Sequence, residues 1–102
     1  MTSKQRAYLR SLAMTMQPIV TIGKNGITQS VISEVNNLLE CKELLKISVL
    51  NNCDLSTKEV AESLGEELSA IVVQTVGSKI TLYRVSKKDD IKHIQLPQGE
   101  LA

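Results

Sequence analysis

Three stretches of the chain carry apolar residues at helical spacing, and others alternate or cluster as strands do. Tyr8, Leu12 and Met16, flanked by Leu9 and Ala13, recur one turn apart, which predicts a helix running to about Met14 with Thr2 or Ser3 as its cap. Arg6 and Arg10 sit one turn apart on its other side. Pro18 breaks the helix and favours extended chain before it. Ile19-Val20-Thr21-Ile22 is a short β-branched strand, followed by the tight loop Gly23-Lys24-Asn25-Gly26. Thr28 caps a second helix with Val31, Ile32, Val35, Leu38 and Leu39 on one face; Gln29, Ser33, Asn36, Asn37 and Glu40 take the wet face.

In the second half, Leu45, Ile47 and Val49 alternate with Lys46 and Ser48. A strand from Leu44 to Leu50 follows, with one face open to water. Ser56-Thr57-Lys58-Glu59 is a capping box that opens a third helix through Val60, Ala61, Leu64 and Leu68. Ala70 to Val76 and Lys79 to Val85 read as strands joined by the two-residue hairpin Gly77-Ser78. Strand–helix alternation implies parallel strands with helical crossovers, and the closing hairpin adds an antiparallel one. The expected fold is an α/β, two-layer α+β sandwich of order α-β-α-β-α-β-β with a mixed four-stranded sheet. Residues 1–85 form the domain, and 86–102 are expected to be a loosely held polar tail.

Composition narrows the function. The chain has 102 residues, 42% apolar, enough for one domain that buries roughly 65% of its unfolded surface. Tyr8 and Tyr83 are its only aromatic residues, so the core must be aliphatic. No apolar run approaches the ~18 residues of a membrane span, and the start does not read as a secretory signal. Cys41 and Cys53 are too few for a disulfide scaffold or a four-ligand zinc site, and read as structural thiols. The single His93 falls in the tail and reads as a solvent histidine. A cytoplasmic, monomeric, cofactor-free protein is the expectation.

Charge is sorted along the chain behind a net +1. Residues 1–33 contain four bases and no acid, 34–67 three bases and eight acids, and 68–102 five bases and three acids. A purely basic first third suits a polyanion, though a solvated surface fits the same residues. Glu59, Glu62, Glu66 and Glu67 mark the outer side of the third helix and form no tight carboxylate pair. With no nucleophile beside a base and no metal set, no enzymatic activity is expected.

The loop Ile22-Gly23-Lys24-Asn25-Gly26-Ile27-Thr28 is the strongest local feature. It joins a strand to a helix. Two glycines three apart permit a sharp turn and close backbone approach. The following helix presents free N–H groups and the positive end of its dipole. With Lys24 at its tip, this is a phosphate-facing loop, or equally an ordinary strand-to-helix turn. It is neither a nucleotide P-loop nor a dinucleotide fingerprint. Tyr83 is placed to stack on a base or to cover the sheet, which lacks an aromatic run for stacking.

Taken together, Leu9-x-x-Leu12-Ala13, Pro18-Ile19-Val20-x-Ile22-Gly23-Lys24-Asn25-Gly26-Ile27-Thr28, Leu44-Leu45-Lys46-Ile47 and Val73-Gln74-Thr75-Val76-Gly77-Ser78-Lys79-Ile80-Thr81-Leu82-Tyr83-Arg84 resemble the CRM domain, the chloroplast RNA splicing and ribosome maturation module. The resemblance covers roughly residues 3–85 and is to the stand-alone, bacterial YhbY-like form. It implies a fold similar to the C-terminal domain of translation initiation factor three. It also implies RNA binding through the Gly-rich loop and neighbouring basic surface, on ribosomal RNA or precursors of the large ribosomal subunit. Carried over, Gly23, Lys24, Asn25 and Gly26 form the loop, with Lys4, Arg6, Arg10 and Arg84 as basic neighbours. The chain departs from the family's strongly basic total. That leaves room for a ribosomal protein or an assembled particle to complete the site.

The expected mechanism is backbone recognition with low sequence specificity. Two other readings fit the residues. The I-G-x-x-G pattern also suits a KH-type single-strand binder, whose loop lies between two helices. The acidic third helix also suits an adaptor that docks a basic protein.

Overall fold

All seven predicted elements form, in the predicted order, with their ends displaced by at most two residues. The computed structural model describes residues 2–91 and 93–95. Helix α1 spans Ser3–Ala13, and Thr2 caps it in a reciprocal box with Gln5. Strand β1 is Val20–Ile22, followed by helix α2, Gln29–Lys42, capped by Thr28. Strand β2 is Leu44–Val49. Helix α3, Thr57–Leu68, opens on the predicted Ser56/Glu59 box. Strands β3, Ile71–Val76, and β4, Lys79–Tyr83, close the domain as a hairpin through Gly77-Ser78.

The sheet order is β1-β2-β4-β3. Only β1 and β2 run parallel, because α2 carries the chain back between them. The other pairings, β2 with β4 and β4 with β3, are antiparallel. Leu45, Ile47 and Val49 share a face with Val20, Ile22, Ile80 and Leu82 and pack under Val35, Leu39, Val60, Ala61 and Leu64 of α2 and α3. Aliphatic side chains buried like these contribute roughly 1.5–3 kcal/mol each, so this aromatic-free layer is the main source of stability.

The opposite face holds Leu44, Lys46 and Ser48, facing Tyr83, Thr81 and Lys79. Helix α1 covers only one end of it, where Leu9 packs with Leu44, Val73 and Tyr83. Tyr83 is buried there, a cover for the sheet rather than a stacking platform; burial first, and then the Glu43 charge, push its phenol above the ordinary range. The ladder slips between Val72 and Gln74. This bulge lets Val73 turn under α1.

The segment after Tyr83 departs from the expected loose tail as far as it is described. The backbone N–H of Arg84 donates to the Glu43 carbonyl at 2.9 Å. The N–H groups of Ser86 and Ile94 donate to the Glu43 carboxylate at 2.6 and 2.7 Å, and His93 Nδ1 lies 2.8 Å from it. Ile94 packs against the cluster under α1. A polar sequence disguised this anchoring because the acceptor lies about fifty residues upstream. The rest of the expected tail, Lys92 and residues 96–102, lies outside the described residues.

Candidate nucleic-acid interface

The loop between β1 and α2 is a β-turn. Gly26 N–H donates to the Gly23 carbonyl at 2.9 Å. Gly26 has φ +65°, a conformation that strains any residue with a Cβ. A Cβ there would meet nothing within 4 Å, so the demand is one of backbone conformation. Gly23 is small for a different reason: a Cβ would lie 3.3 Å from Leu50 Cδ1 and 3.4 Å from Asn52 Oδ1. The turn therefore rests on the loop that follows β2, and the Leu50 N–H donates to the Ile22 carbonyl at 2.8 Å to hold it there.

Lys24 and Asn25 are exposed at the tip, and among the described residues neither side chain has an internal partner. Behind them Thr28 Oγ1 accepts from the Val31 N–H at 3.2 Å. The remaining first-turn N–H groups of α2 have no acceptor within the helix. No acid lies in that first turn to neutralise them, and the helix dipole adds partial positive charge. A concavity of about 300 Å³ lies between the turn, Thr28 and Val31. Its donors and Lys24 suit an anionic oxygen. The strand Val20–Ile22, paired with Ile47–Val49, replaces the first helix of the KH setting, so the KH-type reading is corrected by the fold.

The basic residues expected beside the loop divide. Lys4 and Arg10 are exposed on α1. Arg6 is not free: its Nη1 donates to the carbonyls of Val72 and Val73 at 2.7 and 2.9 Å, satisfying the oxygens turned out by the bulge. Arg84 is likewise internal. It donates to the Leu68 carbonyl at 2.9 Å and the Asn36 carbonyl at 3.3 Å, and pairs with the Glu40 carboxylate at 3.0 Å. Each arginine is thus tied into the fold, Arg6 through Nη1 alone and Arg84 through both terminal nitrogens. Arg84 also lies at the far end of the sheet from the loop, since β4 ends opposite the start of β2. The first turn of α1, with Lys4, is set by Arg6 near the start of β3, away from the Gly77-Ser78 hairpin.

Glu43 is the residue that the sequence pattern concealed. It is 1% exposed, ends α2 at φ +65°, and is the hub for Ser86, His93 and Ile94. Burial alone would raise its carboxyl, but the hydrogen bonds from His93, Ser86 and Ile94 hold it below the ordinary range. The same bond raises His93 above its ordinary value. His93 is thus a partner of a buried acid and not a solvent histidine. Of the thiols, Cys53 is half-buried as expected, while Cys41 is exposed. Among the described residues, no cluster of three or more His, Cys, Asp or Glu could hold a metal, and no helix is long and apolar enough to cross a membrane.

The arrangement is that of a small mixed-sheet domain with a strand–glycine turn–helix junction at one end. Residues 1–84 match the CRS1 / YhbY (CRM) domain, and the chain belongs to that family. It is 41% identical over 97 residues to the "Probable RNA-binding protein YqeI" of Bacillus subtilis, covering 95% of this chain and 99% of that one. It is 36% identical over 99 residues to an "RNA-binding protein" of Haemophilus influenzae, covering 96% of each. The solution structure of SAV1595 from Staphylococcus aureus superposes with a TM-score of 0.76 at 45% identity, over 95% of this chain and all of that one.

Proposed function

We propose that this protein binds RNA through the Gly23–Gly26 turn, with Lys24 as its cationic contact and Arg10, exposed in the last turn of α1, as a second. The observation that carries the reading is the turn itself. A lysine with no partner among the described residues stands at a positive helix end whose first turn carries no acid, on a domain whose relatives are named as RNA-binding proteins. Backbone amides and a flexible ammonium recognise phosphate and carry no base information, so binding is largely independent of sequence. The RNA proposed is ribosomal, met on precursors of the large subunit in the cytoplasm, by a monomer without cofactor or catalytic step.

A specific observation supports a second contact. Between α2 and α3 runs a groove of about 670 Å³ lined by Ile27, Ile32, Leu55, Ser63, Glu66 and Glu67. Its apolar floor and acidic rim suit a basic protein segment, such as one from a ribosomal protein. Titration of the purified protein against large-subunit ribosomal RNA fragments tests the main reading. Wild type is expected to bind, and Gly26→Val and Lys24→Ala to bind more weakly. Equal affinity of all three proteins at low salt would remove the turn from the interface. Nuclease digestion of particles that carry the protein tests the second: retention on the protein remnant requires the groove, and complete release requires RNA alone.

A further inference from the structure

The uncovered half of the sheet points to a longer interface than the turn. Helix α1 ends at Ala13, and beyond it the sheet face opens into a groove of about 330 Å³ lined by Met14, Lys46, Gln74, Val76, Lys79 and Thr81. The cross-strand register puts these sheet residues on one face: Lys46 lies opposite Thr81, Ser48 opposite Lys79, Gln74 opposite Thr81 and Val76 opposite Lys79. None of them is acidic. Thr21 of β1 lies opposite Ser48 on this face, one residue before Ile22 and the glycine turn. The Val49 N–H donates to the Ser78 carbonyl at 2.8 Å, which brings the β3–β4 hairpin beside the turn. The surface from Lys24 past Thr21 and Ser48 to Lys79 and Lys46 is therefore continuous.

Both lysines are held and still unsaturated. Lys46 Nζ donates to the Ala13 carbonyl at 3.2 Å, and Lys79 Nζ to Ser48 Oγ at 2.9 Å. An ammonium has three donors, so each keeps two for a ligand. The two stand diagonally across neighbouring strands, a separation on the order of 7–8 Å. Two anchored cations in an acid-free groove suit successive phosphates better than one compact anion. The rim is apolar, with Met14 77% and Val76 61% exposed. It can cover sugar or base but offers no aromatic ring for stacking.

We propose that an RNA strand leaves the glycine turn and continues across this open half-face, with Lys46 and Lys79 gripping its phosphates. The inference rests on the RNA-binding reading and extends it. The grip is on the backbone of a single strand laid along the sheet, unlike sheet modules that stack bases on aromatic side chains.

The test is a fluorescence titration of a labelled single-stranded RNA oligomer over a salt series. Lys46→Gln with Lys79→Gln should lose at least about tenfold in affinity at low salt and flatten the log–log slope by about 1.4, or roughly 0.7 per contact. Lys58→Gln, on the acidic helix α3, should change neither beyond the effect of net charge. Val76→Glu and Val76→Lys remove no internal hydrogen bond and decide the matter even if the double variant folds poorly. Glutamate should weaken binding and lysine strengthen it, with both melting temperatures near wild type. Wild-type protein that fails to bind RNA would overturn the functional reading and this inference with it. Binding that depends on Lys24 but is unmoved in affinity and slope by the double variant and both Val76 variants would overturn the sheet path alone.

Discussion

At the two ends of the sheet, similar charged residues serve opposite purposes. Where β2 begins and β4 ends, Glu40, Glu43, Arg84 and His93 point at one another or at backbone groups of α2, α3 and the chain after Tyr83. Where β1 ends, Lys24 has no internal partner among the described residues, and α2 presents its positive end with no acid in its first turn. The first end shows charge used as an internal fastening: each group is desolvated only as far as a partner compensates it. The second shows charge left without compensation inside the chain, which is what an external anion requires. The same contrast separates Arg6, clamped on the β3 bulge, from Arg10 one turn along the same helix.

The largest effect should come from breaking the fastened end. Glu43→Ala leaves the Ser86 and Ile94 amides without their acceptor and is expected to cost about 3 kcal/mol of stability. RNA affinity per folded molecule should not change. Chemical denaturation beside an RNA titration checks both halves, and a stable variant would show that Glu43 is not the hub. Next come the arginine clamps. Arg84→Ala and Arg6→Ala should each cost roughly 1.5–2 kcal/mol, as charge-assisted bonds to internal carbonyls do, with the salt slope of binding preserved. Arg10→Ala should do the reverse. A flattened slope for Arg6→Ala with full stability would erase the distinction between the two residues.

At the free end the expected stability changes are smaller. Gly26→Val meets no steric neighbour but must hold a β-branched residue at φ +65°, for about 1–2 kcal/mol. It should harm RNA binding more than Lys24→Ala, because it tilts several amides at once. Lys24→Ala should stay within about 0.5 kcal/mol of wild-type stability and lower the salt slope by roughly 0.7–0.9.

The smallest effect is on pH. Glu43 titrates below its ordinary value, so its contribution is present above about pH 4.3 and is lost as pH falls through its folded pKa. His93 titrates above its ordinary value, so its contribution is complete below about pH 6.5 and fades as pH rises through its folded pKa. Stability should therefore be greatest between these two limits and decline slightly toward alkaline pH. An NMR titration of His93 should show its pKa falling back toward the ordinary value in Glu43→Gln. An unchanged His93 titration would mean that the pair does not form in solution.

Much of this could be read directly from the residues. Every helix start was legible because capping is a local event: Thr2, Thr28 and Ser56 each bond an amide three residues ahead. The strands were legible from alternation, and the glycine turn from two glycines between β-branched residues and a cap. That Arg6 and Arg84 are tied to internal carbonyls was not legible, because a cation has the same local signature whether or not a carbonyl waits across the fold. The anchored segment after Tyr83 was misread because its polarity describes its own side chains and not the buried acceptor at Glu43.

By itself, then, the sequence determined the elements, their order, the face each buries and the position of the turn, all of which follow from interactions within a few residues. Only the tertiary structure decided which charges are free. The register of β2 against β4 sets Lys79 beside Ser48 and diagonal to Lys46, the β3 bulge captures Arg6, and the end of α2 places Glu43 under the chain that follows β4. A partner across tens of residues leaves no mark in local periodicity. Electrostatic energy depends on separation in space and on burial, and both come into being only when the sheet is assembled.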